Sequence, residues 1–568
     1  MIHTFRRFFA TLFRRRKGGE VHPDEIFIDA HNLPQFDTDQ FEGRLESPIS
    51  TTTVFVVGAI FFIILLGYAS RVGFLQIKQG EAFLDRSENN RLKHTPIFAS
   101  RGVITDRNGI ELAWNAPGTE NIDVTTREYK KAPGLAHTLG YVQYPTKDAQ
   151  GFYYREDFIG VAGVEKFFDA QLQGKNGLRL IETNALGRVQ SQNVIRPSQQ
   201  GENMTLSIDS RIQSKLYEVI RDTSEKVGFS GGSGVIMDVH TGEIIAMTSY
   251  PEYDPMVMSL GDDREKISQY MKDKRTPFLN RVIDGLYIPG SILKPYLALA
   301  ALNEKLIDPA KKILSTGSIS IPNQYDPTIQ TIFRDWKAHG YVDMRHAIAV
   351  SSDVYFYAIG GGYKDQKGLG ITKIDDYIRL FGFGEKIQAP FFSNGAQGTI
   401  PTPEWKKIHF NGESWRLGDT YHTSIGQYGF QVSPVQAVRA VAALANHGSL
   451  LNPSIIKDTP RSVASTIDIP ESYFKIVNEG MMLSTTEGTS QALNVPYVQI
   501  ASKSGTAELG ITKENVNSWI TGYFPYQNPR YAFTVVLEKG SRHNLIGAAA
   551  ATRGLFDWMN INTPEYFK

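Results

Sequence analysis

The chain has 568 residues, more than one compact core holds; at roughly 100 to 200 residues per domain, about three units are expected. Lysine and arginine number 60 and aspartate and glutamate 59, so the net charge of +1 gives no overall field for nucleic acid. Hydrophobic residues at 41% exclude a disordered chain, and the absence of cysteine excludes disulfide scaffolds, thiol nucleophiles, Cys-ligated zinc and iron–sulfur clusters.

Residues 1–17 carry Arg6, Arg7, Arg14, Arg15, Arg16 and Lys17 and no acid, which fits either a solvated tail or one held near an anionic leaflet. Residues 18–50 are polar and punctuated by proline, the pattern of a flexible linker. Between Glu46 and Arg71 no residue is charged, and 54–69 read VFVVGAIFFIILLGYA. At ~1.5 Å per residue that window crosses a ~30 Å hydrocarbon core. A leader of some 50 residues and the lack of an A-x-A-like site argue against a cleaved signal peptide. The expectation is a cytoplasmic basic tail over 1–50 and one retained anchor over 51–75. The basic tail predicts a cytoplasmic N-terminus and an extracytoplasmic bulk, in the cell (inner) membrane.

From 76 to 205 the pattern is short and β-rich, with turns at RGVITDRNG (101–109), GVAGVE (160–165) and LQGKNG (172–177). No charge cluster there suggests chemistry, and the segment reads as a spacer. From 206 to 568 the character changes. SGGSGVIMDVHTGEIIAMTSYP (230–251) reads as two strands joined at His240-Thr241-Gly242, Ser291–Leu306 as a helix, and SWITGYF (518–524) with YAFTVVLEKG (531–540) as an antiparallel hairpin. Strands first, helices in the middle and strands last suggest one α/β unit.

Within IPGSILKPYLALAALNEKL (288–306), Ser291 opens an apolar helical run and Lys294 lies three residues on, so both side chains share one face of the first turn. Pro295 is tolerated there because first-turn amides lack partners. This arrangement suits a serine nucleophile whose proton passes to a lysine. Lysine must then lose roughly 3 units from its usual pKa of ~10.4, or ~4 kcal/mol, which burial and a second cation supply. S-x-x-K alone is weak, being more often a capping serine and a surface lysine. AVSSDVYFY (349–357) adds Ser351 and Asp353, 60 residues after Ser291. ASKSGTAEL (501–509) adds Lys503, Ser504, Gly505 and Thr506, 212 residues after Ser291. Each has a plain alternative, a solvated turn or a Gly bulge; the three in this order are together specific.

S-x-x-K, S-D-N and K-T-G are the signature of class A β-lactamases and penicillin-binding proteins. With Ser351-Ser352-Asp353 and Lys503-Ser504-Gly505, this chain resembles the class B penicillin-binding proteins, in particular their elongation branch (penicillin-binding protein 2). RGVITDRNG, GVAGVEKFFDAQLQG (160–174), TGEIIAMTSYPEYDP (241–255) and GDTYHTSIGQYGFQVSPVQA (418–437) look like further stretches of that family. The resemblance implies a β-rich pedestal or dimerisation domain with a small head over 76–205 and an α/β transpeptidase domain, an antiparallel sheet packed with helices, over 206–568.

It also implies roles. Ser291 attacks the carbonyl between the two terminal D-alanines of a peptidoglycan stem peptide. Lys294 is the base, Ser351 relays a proton to the leaving D-alanine, and Asp353 holds Lys294. Lys503 attracts the terminal carboxylate, which Ser504 and Thr506 bind beside Gly505. β-Lactams trap Ser291. Implied partners are a membrane-embedded SEDS-type glycosyltransferase and elongation proteins; no cofactor and no nucleic acid are implied. Some elongation-type relatives bind zinc with Asp, His and Cys where this chain has Asp326, Asp335, His339 and Ser352. With cysteine missing, no metal is expected, and those residues read as a solvated loop. The competing readings are a division-type relative, a β-lactamase or β-lactam sensor on the same fold, which needs no pedestal, and an inert scaffold for a glycan polymerase.

Overall fold

A computed structural model describes residues 49–81, 92–117, 124–149, 153–183, 189–323 and 326–568. The expected basic tail lies outside them, apart from its last two residues. The chain divides into two compact units, residues 1–91 and Leu92–Lys568.

In the first unit the long helix α1 runs Thr51–Ile77, capped by the Ser50 hydroxyl, which accepts from the Thr53 amide at 3.1 Å. Its 27 residues span about 40 Å at ~1.5 Å per residue and bury nothing against protein. An apolar helix that none of the described residues buries is suited to lipid, and α1 extends two residues beyond the expected span.

The second unit begins with two sheets. One is antiparallel, built from β1 (Leu92–Ile97), a strand at Gly177–Thr183 and one at Val189–Arg196. The other contains β2 (Ile104–Thr105), β3 (Glu111–Ala116) and β4 (Thr126–Tyr129), with Met204–Thr205 running parallel to β2. The sequence shows no charge cluster in this region, but the fold builds one. Glu165 accepts from Arg101 Nε at 2.5 Å and from Arg127 Nε at 2.8 Å, and Arg101 Nη2 lies 2.7 Å from Asp169. Arg101, Arg127 and Glu165 are at most 1% exposed. Residues 26 and 64 positions apart meet only after folding, which is why the linear pattern hid them. Removing one member leaves an uncompensated buried charge.

The Asp106 carboxylate ties the pedestal to the larger domain. It accepts from the amides of Asn108 and Ile110, both at 2.9 Å, closing its own turn, and from the Ser210 hydroxyl at 2.7 Å. Ser210 is the first residue of α2 (Ser210–Val227), whose own N-cap is Asp209. Farther along, the Glu252 carboxylate accepts from the amides of Gly134 at 2.6 Å and Ala136 at 3.0 Å.

The larger domain is built around a five-stranded antiparallel sheet between helices. Its strands are β5 (Gly231–Asp238), β6 (Ile244–Tyr250), β7 (Ala501–Leu509), β8 (Asn515–Phe524) and β9 (Tyr531–Ser541), in spatial order β6-β5-β9-β8-β7. Alternation sorts the side chains. Ile236, Ile520 and Val535 join one core with Leu216 and Ile220 of α2 and Phe556 of the C-terminal helix Ala548–Asn562. Val235, Met237, Trp519 and Val536 join the other core with α3 (Lys294–Asn303), α4 (Asp353–Gly361), α5 (Pro434–Ala445) and α6 (Glu471–Thr486). Both faces are therefore covered. The two expected hairpins are present, with β7 added as an edge strand on β8.

Candidate active site

The run read as one helix over Ser291–Leu306 is a 3-10 turn, Gly290–Leu293, followed by α3, which ends at Asn303. Gly290 carries φ +58°, and its amide donates to the Gly426 carbonyl at 3.0 Å. Gly426 has its own φ of +75°, and a β-carbon there would lie 2.2 Å from the Gly290 oxygen. Only glycine permits that approach, which seats the Ser291 turn on the Thr423–Gly429 loop. Trp519 Nε1 donates to the Ile288 carbonyl at 2.9 Å and fixes the same turn from the sheet side. Ser291 itself is half-buried, and among the described residues none holds its hydroxyl.

Lys294 is fully buried one turn on. Its ammonium donates to Asp353 Oδ1 at 2.6 Å, the Ser351 carbonyl at 2.8 Å and Ser351 Oγ at 3.1 Å, and the Phe356 ring lies 5.4 Å away. Three acceptors thus match three N–H bonds. The short helix Met344–Ala349 ends just before Ser351, and Ser352 caps α4, whose first residue is Asp353. Ser351 sits between them with φ +58°, a conformation that costs a non-glycine residue of order 1–3 kcal/mol and holds its hydroxyl toward Lys294. Burial pushes the Asp353 carboxyl up, against the pull of Lys294 and Lys503.

The third motif lies on β7. Gly505 packs against the nucleophile's turn so closely that a β-carbon would lie 2.9 Å from both Ile292 Cγ2 and the Pro289 oxygen. The neighbouring Thr506 is exposed. Lys503 is fully buried, and its amine donates to the Ser504 carbonyl at 2.9 Å. Burial first, and the Lys294 charge second, push it well below the ordinary lysine range. A buried amine with no carboxylate within ion-pair distance among the described residues is complementary to an incoming anion. The Ser504 hydroxyl donates to Thr489 Oγ1 at 2.6 Å.

The eight sequence-derived positions are therefore brought together around the Ser291 turn. Sequence reasoning missed Thr489, whose amide donates to the Ala349 carbonyl at 3.1 Å and which thereby joins the second motif to the third; nothing in EGTS distinguishes it from a polar turn. It also gave no role to Gly426, although the stretch containing it looked characteristic. The reading of Asp335 and His339 as a solvated loop is corrected, because both side chains are at most 2% exposed. The Asp335 carboxylate is occupied by protein donors, whereas Asp326 is exposed and accepts from Thr328.

A model of the penicillin-binding protein transpeptidase domain matches residues 232–556, more than half of the chain, and one of the penicillin-binding protein dimerisation domain matches 115–206. The chain belongs to the penicillin-binding protein transpeptidase family. Among curated proteins it is 28% identical to the peptidoglycan D,D-transpeptidase MrdA of Acinetobacter baumannii, over 90% of this chain and 88% of that one. It is 26% identical to the Escherichia coli K12 protein of the same name, over 83% and 88%. Among solved structures, Pseudomonas aeruginosa PBP2 in complex with WCK 5153 superposes with a TM-score of 0.68 at 28% identity, covering 84% of this chain and 98% of that one. PBP2 of Helicobacter pylori, in complex with MreC, gives 0.68 at 25%, covering 83% and 100%.

Proposed function

We propose that this chain is a membrane-anchored D,D-transpeptidase of the elongation type, which joins peptidoglycan stem peptides through an acyl-enzyme on Ser291. The observation that carries the reading is the Lys294 amine, buried and shared between Ser351 and Asp353 one turn from a serine whose hydroxyl none of the described residues holds. The relatives' names support the reaction and the elongation role.

In the reaction, Ser291 Oγ bonds to the carbonyl carbon of the penultimate D-alanine. Its proton passes to the Lys294 amine, which can take it only after releasing one of the three protons it donates to Ser351 and Asp353. The Ser351 hydroxyl, 3.1 Å from Nζ, gives its proton to the nitrogen of the departing D-alanine as the C–N bond breaks and takes up in its place the proton that Lys294 received from Ser291. Asp353 keeps the amine aimed while it changes charge. The substrate's terminal carboxylate pairs with Lys503 and accepts from Ser504 and Thr506. The amides of Ser291 and Thr506 receive the developing oxyanion, typically worth several kcal/mol. An amine of a second stem peptide then attacks the ester, releases Ser291 and leaves a cross-link. β-Lactams enter by the same first step.

The pedestal favours this reading over a β-lactamase or sensor, for which Arg101, Arg127 and Glu165 would have no use. Residues 51–77 would anchor the chain with its N-terminus in the cytoplasm, the domains being those set out from the sequence: 1–50, 51–75, 76–205 and 206–568. The partners would be a SEDS-type glycosyltransferase and, by likeness to the H. pylori complex, an MreC-type protein. The test is mass spectrometry of the penicillin adduct. A single adduct on Ser291, lost in Ser291→Ala with the melting temperature kept, is the expected result; an adduct elsewhere, or none, would refute it.

A further inference from the structure

Asp335 lies 18 residues before Asp353 in the chain yet directly behind it in the fold. Its Oδ2 accepts from the Ser352 hydroxyl at 2.9 Å, the Val354 amide at 3.0 Å and the Ser315 hydroxyl at 3.2 Å. Its Oδ1 accepts from the Trp336 amide at 2.8 Å and faces His339 Nε2 at 3.4 Å. Ser352 and Val354 flank Asp353. One buried carboxylate therefore grips the chain on both sides of the residue that holds Lys294. It also terminates the segment in which Ser351 is kept at φ +58°. An anion at the first turn of a helix is stabilised by the free amides there, and Asp335 reaches α4 from outside it.

These residues do not fit the zinc that some relatives carry. A tetrahedral site needs lone pairs from thiolate, imidazole or carboxylate converging on one point. Here the lone pairs of Asp335 Oδ2 are spent on three protein donors, Ser352 offers a hydroxyl that donates, and Asp326 is turned to Thr328 on the surface. Among the described residues no group of three His, Asp or Glu side chains is gathered for a metal.

We propose that Asp335 is a positioning residue for the acylation step, and that in this chain it sets the second motif through Ser352 and the Val354 amide with no metal ion. The proposal rests on the transpeptidase reading, but its test is separate, because it compares acylation rates among variants that all retain Ser291. Asp335→Asn keeps the shape and puts an amide N–H against donors. Ser352→Ala removes one of the three donors to Oδ2 and leaves the other two.

Stopped-flow acylation of the full-length protein by a fluorescent penicillin separates the acylation rate constant from the prior Kd. We expect Asp335→Asn to lower the rate constant by about 10- to 100-fold with Kd little changed, and Ser352→Ala to lower it by about three- to tenfold. The double variant should be slower than Asp335→Asn by less than Ser352→Ala slows wild type, because the Ser352–Asp335 contact is shared and only the α4 cap is lost in addition. Metal analysis of the purified protein should find zinc well below one per chain, and chelation should leave the rate unchanged. A wild-type rate constant in Asp335→Asn, with or without a lowered melting temperature, overturns the positioning role. Stoichiometric zinc whose removal slows acylation overturns the metal-free part. Should Asp335→Asn fail to fold, the milder Ser352→Ala decides: a rate equal to wild type overturns the role.

Discussion

Gly505→Ala puts the shortest side chain where β7 meets the nucleophile's turn. The added carbon would sit 2.9 Å from Ile292 Cγ2, 2.9 Å from the Pro289 oxygen and 3.2 Å from Trp519 Cβ. Carbon contacts relax to about 3.5 Å or more, so a gap of roughly 0.6 Å must open. The Ile292 methyl can turn away, but the Pro289 oxygen is backbone, in a turn fixed by Trp519 and Gly426. The edge strand therefore yields, and Ser504 and Thr506 move with it. Overpacking of this kind costs ~1–3 kcal/mol, a fall of a few degrees in Tm. A 1 Å misplacement of reacting groups costs ~100-fold, so a shift of about 0.6 Å predicts a loss of roughly 10- to 50-fold in acylation. Stopped-flow labelling with a fluorescent penicillin, beside a thermal melt, measures both. Acylation within twofold of wild type in a folded variant would mean that the register of β7 against Ser291 does not govern the chemistry, and the assignment of Ser504 and Thr506 would fall.

Lys294→Ala removes the proton acceptor and leaves Asp353 buried without its closest cation; acylation should fall by about 100- to 10,000-fold, and an unchanged rate would refute its role as base. Glu165→Ala strands the buried Arg127 guanidinium and leaves Arg101 with Asp169 alone, and should cost ~3–5 kcal/mol, read as early protease cleavage between residues 92 and 205 while the folded fraction still binds penicillin. Burial pushes the Glu252 carboxyl from 4.5 up to about 7. Between those values the unfolded chain holds fewer protons than the folded one, so stability should fall as pH rises from about 4.5 to 7 and then level off. Glu252→Gln should flatten that slope in melts across the range, and a slope as steep as wild type would dismiss Glu252 as its source. A chain of residues 92–568, which lacks α1, should be soluble and still form the Ser291 adduct.

Much of this was legible in the linear chain because the features involved are local. α1 is marked by a run without charge, and nothing beyond its own composition is needed to make it helical and apolar. The Ser291–Lys294 pair is set by helical spacing, and the β5–β6 and β8–β9 hairpins are set by alternation between turn residues. The three motifs could be put in order because each carries its chemistry in adjacent side chains. Their meeting could not be derived from any one of them, and resemblance to a family supplied it.

What the sequence could not show is where distant polar groups cancel one another. Glu165 looked like one acid among many until folding placed Arg101 and Arg127 on either side of it. Asp335 and His339 looked solvated because their neighbours in the chain are Arg334, Trp336 and Lys337, whereas their neighbours in space are Ser315, Ser352 and the amide of Val354. Local sequence encodes propensity and periodicity, and both act over a few residues. Desolvation acts over whatever the completed core brings within a few ångströms. Burial of Lys503 and Lys294, the left-handed turn at Ser351 and the pairing of Ser504 with Thr489 exist only once sheet and helices have closed around them.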